Sequence, residues 1–180
     1  MELVRQLIEG FFPPEIVELL DLTQLRLESG SYITPAMKRK EDDVVWSLPV
    51  GEQRLYLYIL LEFQSSIDHA MPVRILQYVG ALYESLIKSE QVNPANRELP
   101  FVLPIVLYNG DSRWRVATNI NDLIYDTPSV LKRYQPQLSY FIIDEGSYSE
   151  ETLGEIQNAV SAVFSLENAK TLESAKLALL

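Results

Sequence analysis

The sequence has no cysteine and a single histidine, His69. Without thiols there is no disulfide framework, no thiolate zinc site and no Cys nucleophile, so carboxylates, amides and hydroxyls must carry any chemistry. Long hydrophobic runs are missing too. No apolar stretch approaches the ~18–20 residues of a membrane span, and the start MELVRQLIEG carries Glu2, Arg5 and Glu9 where a signal peptide is apolar. A cytoplasmic chain without membrane contact is expected. Positive charge is scarce: 15 Lys and Arg face 25 Asp and Glu, for a net charge of −10. That balance argues against nonspecific coating of nucleic acid, which needs a basic surface to displace counterions from phosphate. A nuclease is not excluded, because a hard-metal site needs clustered carboxylates and a local basic strip can still meet phosphate.

What is there fits one domain over residues 1–180, since 180 residues with 47% hydrophobic content suffice for a single core. The core is expected at about 20–146, with C-terminal helices over 147–180. Leu3, Val4, Leu7, Ile8, Phe11 and Phe12 recur at helical spacing until Pro13-Pro14, and EIVELL reads as a second short helix. Leu25–Ile33 alternates loosely as a strand. After SSIDHA, Pro72 suits a first helical turn, and Ile75, Leu76, Tyr78, Val79, Leu82, Tyr83, Leu86 and Ile87 form the apolar stripe of a long helix. LPFVLPIVLYNG reads as a buried strand broken or bent at Pro100 and Pro104, and SYFIIDE as another strand. EETLGEIQNAVSAVFSL and ENAKTLESAKLALL read as two closing helices.

The most informative stretch runs from Asp43 to Gln64. DVVWSL and RLYLYILLEFQ are strand-like and flank a turn near Val50-Gly51-Glu52-Gln53, which predicts a hairpin. A four-residue loop pairs Leu48 with Leu55, Trp46 with Leu57 and Val44 with Ile59, so that six apolar side chains share one buried face. The same register pairs Asp43 with Leu60 and sets Asp43 diagonally from Glu62 on the opposite face, roughly 7–8 Å apart, within reach of one ion. A slip of one residue would move Asp43 to the apolar face.

Asp43, Glu62 and Gln64 are therefore the candidate site. Two carboxylates at the ends of neighbouring strands can hold Mg²⁺, which takes oxygen ligands, keeps waters and polarises phosphate. Solvated charges at strand ends give the same pattern with no function. His69 reads as a phosphate contact or base, or as an ordinary loop histidine. Arg74 reads as a DNA backbone contact or a packing arginine. Lys38, Arg39 and Lys40 form the one basic run, either a phosphate contact or a solvated approach to the strand. Tyr56 and Tyr58 share the parity of Glu62 and either stack on bases or fill the sheet surface under a helix.

The stretches DVVWSL, YLYILLEFQSSIDHAMPVRILQYVGALYE and LPFVLPIVLYNGDSRW resemble the recombination-promoting nuclease / putative transposase family (YhgA-like). The likeness rests on the strand-borne Asp, the E-x-Q-S-S core, the M-P-x-R helix start and the L-P-x-V-x-P-x-V-x-Y-x-G strand, and covers roughly residues 1–150. It implies an α/β fold with a restriction-endonuclease-like PD-(D/E)XK core, a mixed central sheet flanked by helices. It further implies a metal-dependent DNA endonuclease associated with recombination or transposition, with Mg²⁺, or Mn²⁺ in its place, held by Asp43 and Glu62. Gln64 stands where many relatives in the superfamily carry Lys; it can orient a water or a phosphate oxygen but brings no positive charge. By the same resemblance DNA is the partner, met by Arg74, Lys40 and His69, and homo-oligomers are compatible with it. Family members generally begin with a further helix bearing an H-D-x-x-F-K-like segment, and this chain starts just after that point. The alternative is therefore a catalytically inactive nuclease-fold domain acting as a DNA- or protein-binding module.

Overall fold

The computed structural model describes residues 1–28, 43–51, 53–62, 67–96 and 98–169. In chain order the elements are helix α1 (Glu2–Phe11), helix α2 (Pro14–Val17), strand β1 (Arg26–Leu27), strands β2 (Asp43–Val50) and β3 (Gln53–Glu62), and helix α3 (Met71–Lys88). Strand β4 (Phe101–Tyr108), helix α4 (Ser129–Lys132), strand β5 (Phe141–Asp144) and helices α5 (Glu150–Ile156) and α6 (Ala159–Asn168) follow. No helix among the described residues is long and apolar enough to cross a membrane.

The strands form a mixed five-stranded sheet in sequence order. β1, β2 and β3 pair antiparallel, and β3, β4 and β5 pair parallel. Antiparallel neighbours can be joined by a tight turn, whereas parallel ones need a long return path. The β2–β3 connection is accordingly short, while β3 reaches β4 only through α3.

The hairpin register is the one expected: Leu48 faces Leu55, Trp46 faces Leu57 and Asp43 faces Leu60. Pairing runs one step further than a four-residue loop allows, to Val50 opposite Gln53. The turn is thus tighter, and Gly51 takes a φ of +59°, the left-handed region that suits a two-residue hairpin turn.

Both faces of the sheet are covered. Trp46, Leu48, Leu55, Leu57, Ile105 and Ile143 pack against Leu7, Ile8 and Phe11 of α1 and Phe164 of α6. On the other face Val45, Tyr56, Val102 and Val106 pack against Met71, Ile75, Val79, Leu82 and Leu86 of α3. Each fully buried aliphatic side chain contributes roughly 1.5–3 kcal/mol, so both layers are needed. The stripe expected on α3 is the buried one, with Leu76 and Ile87 at its more exposed margins. Tyr56 is buried under that helix, as the sheet-filling reading has it.

Three expectations need correction. β4 is unbroken through Pro104, because β5 joins it only from Ile105 onward, so the missing N–H falls before pairing on that side begins. The segment 150–166 is two helices, not one: Gln157 turns left-handed at φ 48° and Asn158 caps α6 through the Ser161 amide and hydroxyl. The second helix of EIVELL is shorter than expected and ends at Val17. Most of the strand expected from Leu25 to Ile33, the basic run with Lys40, and most of ENAKTLESAKLALL lie outside the described residues.

Candidate active site at the carboxyl end of the parallel strands

β3, β4 and β5 run in the same direction, so their carboxyl ends meet at one edge of the sheet. There Glu62 is opposite Tyr108, and Tyr108 is opposite Asp144, one position on each strand. Asp43 opens β2 opposite Leu60, two residues from Glu62 along β3. Backbone positions 43 and 62 are thus diagonal neighbours, as the register requires. Gln64 and Lys40 lie outside the described residues. Among the described residues no three His, Asp or Glu side chains form a group able to hold a metal.

The remaining expected contacts stand at the start of α3. His69 is exposed in the approach to the helix. Asp68 accepts the Ala70 amide at 2.8 Å and binds the Arg74 guanidinium at 2.9 Å. Arg74 is therefore held across the first helical turn, with its guanidinium 5.9 Å from the centre of the Tyr78 ring.

The sequence reading missed the corner beyond β4 and β5. Asp144, 8% exposed, ends β5 with both carboxylate oxygens engaged. One accepts Arg113 Nη1 at 2.6 Å and the other accepts the Trp114 amide at 2.8 Å. Arg113 Nη2 donates to the Gly110 carbonyl at 3.1 Å and the Asp111 carbonyl at 3.4 Å. The loop is thereby folded back on the strand ends. Trp114 Nε1 donates to the Tyr140 hydroxyl, which donates on to the Ala117 carbonyl. A Cβ at Gly146 would collide with the Arg113 guanidinium, and one at Gly110 would collide with the Tyr108 hydroxyl and ring. The crowding at Gly110 is against a buried ring and at Gly146 against the far end of the Arg113 side chain; neither depends on backbone conformation. Tyr108 is fully buried, its hydroxyl has no partner among the described residues, and burial with the nearby Asp144 charge raises its pKa.

On the opposite face Glu145 follows Asp144 and is 3% exposed. Its pKa is pushed up to about 8, by burial first and then by a hydrogen bond that its carboxyl donates to Glu167 on α6 and by the charge of Glu167. Glu167 also accepts the Asn109 amide at 3.2 Å, and Asn168 donates to the Glu145 carbonyl at 3.0 Å. A carboxyl–carboxylate contact therefore ties α6 to the same edge of the sheet. The signal in sequence was the acidic pair closing SYFIIDE together with the YNGDSRW loop, but nothing in it says which acid meets the arginine.

Comparison with known proteins bears on this arrangement. The family model described as "Putative transposase, YhgA-like" matches residues 1–174. Recombination-promoting nuclease RpnC of Escherichia coli (strain K12) is 34% identical over 62% of this chain and 35% of its own length. Recombination-promoting nuclease RpnD of Escherichia coli O157:H7 is 32% identical over 59% of this chain and 39% of its own. Inactive recombination-promoting nuclease-like protein RpnE of Escherichia coli (strain K12) is 28% identical over 62% and 36%. The matches thus span little more than a third of these relatives. No solved structure matches. The mixed sheet and the match over residues 1–174 agree, and the chain belongs to the YhgA-like putative transposase family.

Proposed function

We propose that residues 1–180 form one nuclease-like domain with a PD-(D/E)XK core and that it hydrolyses phosphodiester bonds of DNA with Mg²⁺ or Mn²⁺. The observation that carries this reading is the β2–β3 register, Asp43 opposite Leu60, which sets Asp43 diagonally from Glu62. At roughly 7–8 Å between backbones two carboxylates fit one hard cation with room for water. When bound, the metal polarises the scissile phosphate and lowers the pKa of a bound water. Asp43 and Glu62 are the ligands. Gln64 orients the attacking water or a phosphate oxygen through its amide, which donates and accepts but carries no charge. His69 and Lys40 meet the DNA backbone, and Arg74 does so while Asp68 holds it. The names of the two recombination-promoting nucleases among the relatives support the same chemistry.

A second reading is favoured by one specific comparison: a relative of similar likeness is itself named an inactive nuclease-like protein. On that reading the domain keeps the fold and serves as a DNA- or protein-binding module. Cleavage of supercoiled plasmid with Mg²⁺ or Mn²⁺ separates the two. The nuclease reading expects nicked and linear product from the wild-type chain and none from Asp43→Ala; intact plasmid in both, with folded protein, leaves the binding module.

A further inference from the structure

We propose that Arg113 binds a backbone phosphate of the DNA at the carboxyl edge of the sheet, supplying a fixed positive charge beside the two acids. This rests on the nuclease reading above. A pair of carboxylates in a chain of net charge −10 repels the polyanion it must approach, so a cation held near them has a clear electrostatic use.

The geometry of Arg113 suits that use better than a purely structural one. Glu62, Tyr108 and Asp144 occupy matched positions on adjacent strands, so Asp144 lies roughly 10 Å from Glu62 at about 4.8 Å per strand. Asp144 is the anchor of Arg113, at 2.6 Å. The pair is asymmetric: the carboxylate side chain is 9% exposed, the guanidinium side chain 37%. A closed structural ion pair would bury both ends, whereas here the acid is enclosed and the cation keeps an open side. Contacts to Asp144, Gly110 and Asp111 engage three of the five guanidinium N–H groups among the described residues, leaving donors for a phosphate oxygen. The absence of a Cβ at Gly146 makes room for this placement. The anchoring also lowers the entropic cost of ordering the side chain when phosphate binds. Arg74 at the same end of the sheet is likewise held by an acid, Asp68, and is more enclosed, at 19% exposure.

The test uses the whole wild-type chain, so it does not depend on a variant folding. A short DNA duplex in Ca²⁺ is added, and arginine labelling by phenylglyoxal is followed by peptide mass spectrometry. Arg113 should be protected several-fold by the duplex, while Arg5 on α1 is labelled equally with and without it. As a second measurement, Arg113→Gln, where folded, should bind the duplex with a log K against log [salt] slope shallower by about 0.9, one phosphate contact. Arg113 labelled to the same extent in both conditions, or an unchanged slope in folded Arg113→Gln, overturns the assignment. If that occurs while wild type cuts plasmid and Asp43→Ala does not, only this inference falls. If wild type neither binds nor cuts DNA, the nuclease reading falls with it.

Discussion

Asp144 and Glu145 are consecutive, both more than nine-tenths buried, and sit at the same edge of the sheet on opposite faces. Asp144 meets a guanidinium and a backbone amide. Glu145 meets a second carboxylate, and burial with that like charge pushes its pKa up to about 8. Burial is common to the two, and their partners differ in sign. The difference also divides the labour of this edge: the Asp144 face holds the Arg113 cation, and the Glu145 face holds α6 through Glu167 and Asn168.

The Asp144 side should be the more sensitive to substitution. Arg113→Met leaves a buried carboxylate facing only an amide and should cost about 2–3 kcal/mol, the scale of a lost charged hydrogen bond plus an uncompensated charge. Chemical denaturation would show it as a lower midpoint with an unchanged slope. Gly146→Ala attacks the same pair sterically, by forcing the guanidinium aside, and should cost about 1–3 kcal/mol. A neutral result for that variant would mean the loop yields without disturbing Arg113.

Glu145→Gln sharpens the other side. The folded pKa of Glu145 lies above its unfolded value, so its contribution to stability is complete below about 4.5 and is lost as pH rises through about 8. Glutamine cannot ionise and can still donate to Glu167. Wild type and Glu145→Gln should therefore melt alike near pH 5, and the variant should melt several degrees higher near pH 8. Parallel melting curves across that range would show that Glu145 ionises normally in the folded chain. Tyr108→Phe should have the smallest effect, because the hydroxyl is buried without a described partner and its removal forfeits no hydrogen bond. Its melting temperature should be equal to wild type or slightly higher; a clear fall would reveal a partner for the hydroxyl.

The same edge shows where the sequence could be read and where it could not. The β2–β3 register was legible because the constraint is local: Leu48, Leu55, Trp46 and Leu57 must share one face, which a slip of one residue would destroy, and the short turn limits larger slips. The positions of Asp43 and Glu62 came with it. The Asp144–Arg113 pair spans 31 residues across an irregular loop, and no periodicity links its members. The division of α5 from α6 turns on Gln157 in a left-handed conformation and on Asn158 as a cap; apolar spacing continues across both residues and hides the break. The course of β4 through Pro104 depends on where β5 begins, which is a property of the assembled sheet.

The most direct test of metal binding by the two acids is thermal melting with and without Mn²⁺, comparing wild type with Asp43→Ala. A ligand that binds only the folded state stabilises it, by about 2.7 kcal/mol at a hundredfold excess over Kd. If Asp43 and Glu62 hold the metal, the wild-type midpoint should rise and that of Asp43→Ala should not; equal shifts in both proteins, or no shift in either, would mean that Asp43 is not a ligand.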